Sequence, residues 1–122
     1  MIEFDPAAPV GQATRRWLND IRHHIEMANG FIAGLNYDAF KDDNLRLYAL
    51  TRRLEIVSEA SRRLPEALKA RHPSIEWREM AAAGNICRHE YEDVAARRVW
   101  QTLTVSLPLL HDVISRELAT FE

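Results

Sequence analysis

The sequence predicts an all-α fold, an up-and-down bundle of about four long helices plus a short one. Three observations lead there. Apolar residues return every three or four positions over long stretches, and no stretch shows the strict alternation of a half-buried strand. Helix breakers are sparse, with four glycines and five prolines in 122 residues. The length suits one domain with a proper hydrophobic core and is too short for two. Residues 1–122 therefore read as a single domain, with 1–12 as an extended N-terminal arm.

From Ala13, the residues Trp17, Ile21, Ile25, Ala28 and Ile32 trace one face of an amphipathic helix that ends at Gly34. The stretch NYDAFKDD reads as a loop whose Asp42 or Asp43 can cap the next helix. That second helix presents Leu47, Leu50, Leu54, Val57 and Leu64, and Pro65 marks its end. PEALKARHP reads as a short turn, after which Ser74 can cap a third long helix running from Ile75 to about Tyr91. The fourth helix, from about Asp93 to Leu118, carries Val99, Leu103, Leu107, Leu110 and Ile114, with a kink expected at Pro108.

Composition narrows the function classes. Apolar residues make up 47% and charged residues 28%, the balance of a soluble globular protein. No apolar run is long enough to cross a bilayer, and MIEFDPAAPV lacks the pattern of a secretory signal. The lone Cys87 cannot form an intrachain disulfide, which fits a reducing cytoplasm and a small buried side chain. A net charge of −2 provides no global field for nucleic acid. The basic residues are nonetheless skewed, 14 Arg against 2 Lys, with adjacent pairs at Arg15-Arg16, Arg52-Arg53, Arg62-Arg63 and Arg97-Arg98. Arginine's planar fork suits phosphate, while solvated helix faces explain the pairs equally well.

The chemistry gathers in GNICRHEYEDV, residues 84–94. On an α-helix Asn85, His89 and Glu92 share one stripe, and Gly84, Arg88 and Tyr91 form the next. Met80, Ala83, Ile86 and Cys87 lie on the other side, toward a core. An imidazole near pH 6.5 gives or takes a proton at neutral pH, and a guanidinium holds phosphate charge. RNA carries its own nucleophile, the 2′-hydroxyl, so cleavage without metal needs little more than a positioned His and Arg. A metal site is disfavoured: only His89 and Glu92 have ligand spacing, Arg88 repels a cation, and His23 and His24 diverge by about 100° on their helix. The plain alternative is a solvated helix end, where basic residues are favoured anyway.

The segment WREMAAAGNICRHEYEDV resembles the HepT-like proteins of the HEPN superfamily, whose signature is Arg-Asn, three residues, His, any residue, Tyr. Asn85, His89 and Tyr91 fall on its Asn, His and Tyr. LYALTRRLEIVSEASRRLP is similar to the family's second-helix segment, with Glu59-Ala60 at its Glu-Ala pair, and Trp77 and VWQTLTVSLPLL match on either side of the motif. The resemblance covers roughly residues 13–118. It implies a HEPN-like bundle that forms a homodimer with two motif helices meeting at the axis, and an endoribonuclease site in the composite cleft. It further implies an MNT-type nucleotidyltransferase antitoxin as partner, which transfers AMP to the motif tyrosine. By this carry-over His89 is the catalytic base or acid, Asn85 an orienting group and Tyr91 the AMP acceptor.

One position departs from the pattern: Gly84 stands where the family has its arginine. On an α-helix Arg88 lies one turn later on the same stripe, and its side chain can lean back over the space Gly84 leaves. A glycine inside a helix costs about 1 kcal/mol against alanine, and close approach across a dimer axis would give it a purpose. The expected function is thus a cytoplasmic toxin component that cleaves RNA through His89, Arg88 and Asn85. Glu59 and Glu92 support the site, and no cofactor, metal or membrane is involved. The alternative is a catalytically weakened relative that serves as binding partner of a nucleotidyltransferase. Trp77 and Trp100 are expected in the core or a dimer contact.

Overall fold

The computed structural model describes residues 11–88 and 92–121, leaving out the side chains of residues 86–88 and 92. Residues 1–10 of the predicted N-terminal arm, His89 and Tyr91 lie outside the described residues, while Gly11 and Gln12, placed in that arm by the sequence, already begin the first helix. All regular structure among the described residues is helical.

Helix α1 spans Gln12–Ile32 and buries Ile21, Ile25 and Ala28 of the predicted stripe together with Leu18, while Trp17 and Ile32 pack partly buried at the edge of the core. It stops at Ala33, and Gly34 turns the chain away with φ +78°, a conformation that suits glycine. The segment read as a loop contains a further helix, α2, Tyr37–Lys41. Asn36 caps it, its side-chain oxygen accepting the Ala39 N–H at 2.9 Å, and Phe40 anchors it in the core.

Asp43 opens α3, Asn44–Arg63, by accepting the Arg46 N–H at 3.0 Å, as one of the two expected caps. Leu47, Leu50, Leu54 and Val57 are buried along it, and Leu64 follows at its end. Pro65 then starts α4, Glu66–Ala70, inside the predicted turn. Leu68 fastens α4 to the core. Beyond it, Glu117 of the last helix accepts two hydrogen bonds from Arg71, at 3.2 and 2.7 Å, and meets His72 Nε2 at 2.5 Å. Glu117 is buried, and the Arg71 hydrogen bond, ahead of that from His72, holds its carboxyl below the usual range.

The third long helix differs from expectation. Helix α5 covers only Trp77–Ala82, begins at Glu76 without a side-chain cap from Ser74, and passes into a 3₁₀ stretch, Ala83–Arg88. Trp77 packs against the core and donates its indole N–H to the carbonyls of Lys69 and His72, both at 3.0 Å.

Helix α6, Glu92–Gln101, continues through a π-helical turn, Thr102–Ser106, into α7, Leu107–Ala119. Pro108 has no N–H, and its ring would crowd the carbonyl four residues back in an α-helix. The wider turn ahead of it removes that conflict, so the chain passes Pro108 through a π turn. All five predicted apolar residues, Val99 to Ile114, are buried. Trp100 is partly buried against the core, 5.1 Å from the Phe40 ring centre. Helix α1 packs on α3 and α7, while α3 also carries α5 and the 3₁₀ stretch. No described helix is long and apolar enough to cross a membrane.

Candidate active site

Position 84 sits where the 3₁₀ stretch is pressed onto α3. A Cβ built on Gly84 would stand 2.9 Å from Cα of Glu55 and 3.3 Å from Oγ of Ser58. The first distance is to backbone, which cannot swing aside. The glycine therefore serves a close approach inside the chain, to α3. The space beside it is filled by Glu55, so it offers no empty volume for another side chain to enter.

Ser58 is buried at this contact. Its hydroxyl donates to the Met80 carbonyl at 2.9 Å and accepts the Gly84 N–H at 2.9 Å. One turn along α3, Arg62 donates to the Ala81 carbonyl. Glu59 holds Arg62 at 2.7 Å and Arg63 at 3.0 Å, and Arg63 in turn lies over the Trp17 ring, 5.4 Å from its centre. Those hydrogen bonds, Arg62 first and Arg63 second, hold the Glu59 carboxyl below its ordinary range. Glu59 thus reaches the motif segment through Arg62.

Of the residues predicted to form the site, Asn85 is exposed on the 3₁₀ stretch. The backbone of Arg88 closes that stretch, and Glu92 begins α6. The stripes expected of an α-helix do not run through residues 83–88. A 3₁₀ helix makes a turn in three residues, so positions four apart, such as Gly84 and Arg88, are out of line by about 120°. Nothing in the motif pattern pointed to Ser58 or Arg62 as contacts of this segment. An isolated glycine within a helical pattern was the available signal, since such a glycine often marks a close packing contact.

Beside the 3₁₀ stretch, a groove of about 680 Å³ runs between α5 and the α6–α7 arm. Met80 and Ala83 line one side, Arg98 and Val105 the other. Several arginines are already engaged: Arg97 lies over Tyr37 and Arg53 meets Nδ1 of His24 at 2.9 Å. His24 is held below its ordinary pKa, by burial first and the Arg53 charge second. Its ring centre lies 5.0 Å from that of His23, edge to face. Among the described residues, no three His, Cys, Asp or Glu side chains gather as a metal centre.

The family description "Ribonuclease HepT-like" matches residues 21–117, most of the chain and all of the helices around this contact. The chain belongs to the HepT-like ribonuclease family. It is 36% identical over 94 residues to the protein named "Probable ribonuclease HepT" of Thermococcus cleftensis, covering 77% of this chain and 86% of that one. It is 30% identical over 96 residues to a protein of Caldanaerobacter subterraneus subsp. tengcongensis named as a "Putative RNase", covering 79% of this chain and 86% of that one. No solved structure matches the chain at a significant level. The HepT-like match includes both sides of the Ser58–Gly84 contact as well as the motif.

Proposed function

We propose that this protein is a HepT-like endoribonuclease, the toxin component of a toxin–antitoxin pair, acting in the cytoplasm. The observation that supports this best is membership of the HepT-like family over residues 21–117 together with the Asn85, His89 and Tyr91 pattern inside that span. RNA is the substrate. In the proposed step His89 takes the proton of a 2′-hydroxyl, whose oxygen bonds to the adjacent phosphorus while the bond to the 5′-oxygen breaks. The leaving oxygen receives a proton from a second acid, and the products are a 2′,3′-cyclic phosphate and a 5′-hydroxyl. Arg88 balances the charge on the phosphorane and Asn85 orients the reacting groups. No metal takes part, because the nucleophile belongs to the substrate. Two copies form the working cleft, each contributing one motif segment, with Glu59 and Glu92 in support.

A nucleotidyltransferase of the MNT type is the proposed antitoxin. AMP on Tyr91 would place phosphate charge beside Arg88 and His89 and occupy the groups that otherwise meet RNA. Mass spectrometry after co-expression should show AMP additions that vanish in Tyr91→Phe.

The deciding experiment is cleavage of RNA by the purified protein in EDTA. His89→Ala is expected to abolish it, and Arg88→Ala to slow it by about 100- to 1000-fold, the usual cost of losing a charge-stabilising donor. Arg88→Lys should recover only part, since an ammonium lacks the planar fork. Cleavage that survives His89→Ala would overturn the mechanism. A wild type that binds the nucleotidyltransferase and cleaves nothing would make it a non-enzymatic partner instead.

A further inference from the structure

In an α-helix the Gly84 N–H would donate to the Met80 carbonyl, four residues back. Here the Ser58 hydroxyl stands between those two groups, 2.9 Å from each, and takes both bonds. The Met80 carbonyl also accepts the Ala83 N–H, the three-residue closure of a 3₁₀ turn. The next carbonyl along, that of Ala81, accepts from Arg62. Two successive carbonyls of α5 are thus served by side chains of α3, and the α-helix ends where they are taken. A side chain inserted into the hydrogen-bond ladder is a known cause of such a break. The insertion is possible because position 84 has no Cβ to hold α3 away.

We propose that Ser58 is a positioning residue of the active site. By occupying the Met80–Gly84 hydrogen bond, it keeps residues 83–88 wound as a 3₁₀ helix and so sets the direction in which the chain leaves Arg88. The kinetic part of this rests on the ribonuclease reading; the winding does not. A 3₁₀ helix turns about 120° per residue and rises about 2.0 Å, against about 100° and 1.5 Å for an α-helix. Over the five steps from Ala83 to Arg88, the two windings diverge by about 100° and 2.5 Å. A reacting group carried beyond Arg88 cannot keep its aim through such a change. Misplacement of about 1 Å already costs on the order of 100-fold in rate.

Ser58→Ala is a suitable probe because it leaves no buried group stranded: the Gly84 N–H and Met80 carbonyl are free to bond each other. In NMR spectra of the labelled full chain, wild type should show Hα–HN contacts between residues i and i+2 across 83–88. Ser58→Ala should replace them with i to i+4 contacts. Its kcat for RNA should fall by at least about 100-fold with KM changed less than about threefold. Ser58→Thr retains the hydroxyl and should restore both the wild-type contacts and most of the rate. A Ser58→Ala protein that keeps the i to i+2 contacts overturns the proposal, and so does one that rewinds yet cleaves at the wild-type rate. A wild type that cleaves no RNA overturns the ribonuclease reading and the kinetic half with it, while the spectra still decide the winding.

Discussion

A methyl group at Gly84 would meet the backbone of Glu55 at 2.9 Å, whereas one at Gly30, in the last turn of α1, would meet nothing within 4 Å. The same substitution should therefore have opposite signs at the two positions. Gly30→Ala should stabilise by about 0.5–1 kcal/mol, through helix propensity and a less flexible unfolded chain. Gly84→Ala forces α3 and the 3₁₀ stretch apart and should cost about 1–3 kcal/mol. Urea unfolding of the two variants checks the pair; equal shifts would mean that position 84 is as open as position 30. Restoring the family's arginine by Gly84→Arg should likewise destabilise and leave RNA cleavage no faster, because the volume that an arginine stem needs belongs to Glu55.

Among the elements, α7 is tied to the segment after α4 by Glu117, with Arg71 and His72 on its two carboxylate oxygens. The carboxyl is held below its unfolded value of 4.5, so the stabilisation is present above that pH and is lost as pH falls through the lower folded value. Glu117→Gln should cost about 2 kcal/mol near neutrality, and the gap to wild type should begin to close as pH falls below the unfolded value of 4.5 and go on closing through the lower folded value. A gap that stays constant across that range would mean the charge on Glu117 contributes nothing. Elements of this kind also show what a sequence can disclose. Helices α1 and α3 were legible because four or more buried residues repeat along each face. Helices α2 and α4 each bury one side chain, Phe40 and Leu68, and a single residue has no period. The break after Ala82 was hidden for another reason: its cause, Ser58, lies on another helix. At the candidate site the residue types were legible, whereas the contact that shapes their backbone was not.

For the whole molecule the proposed assembly is a two-fold dimer with the motif segments near its axis. The exposed apolar residues give such contact some material: Val105 and Leu109 are 62% and 56% exposed beside the groove, and Leu45 and Tyr48 are 82% and 58% exposed on α3. Sedimentation at micromolar concentration should show a dimer. A purely monomeric protein would sink the composite cleft and leave each copy with one Asn85–His89 pair. Mixing His89→Ala with Tyr91→Phe subunits would then give activities that simply average, where a shared cleft gives a distinct mixed species.

The π turn between α6 and α7 has a consequence for chain length. Its closing bond runs from the Leu107 N–H to the Thr102 carbonyl, five residues back where an α-helix would span four. The arm therefore carries one residue more than a regular helix between the same two ends. That residue can be given up within the turn with both flanking faces preserved. Removal of Val105, with Pro108 replaced by alanine to admit regular winding, would leave Leu103 and Leu107 facing the core as now. The same deletion inside α7 would instead turn every later residue by about 100° and expose Ile114 and Leu118. Length variation among natural relatives should accordingly collect at this turn, where one residue more or less leaves the helices on either side undisturbed.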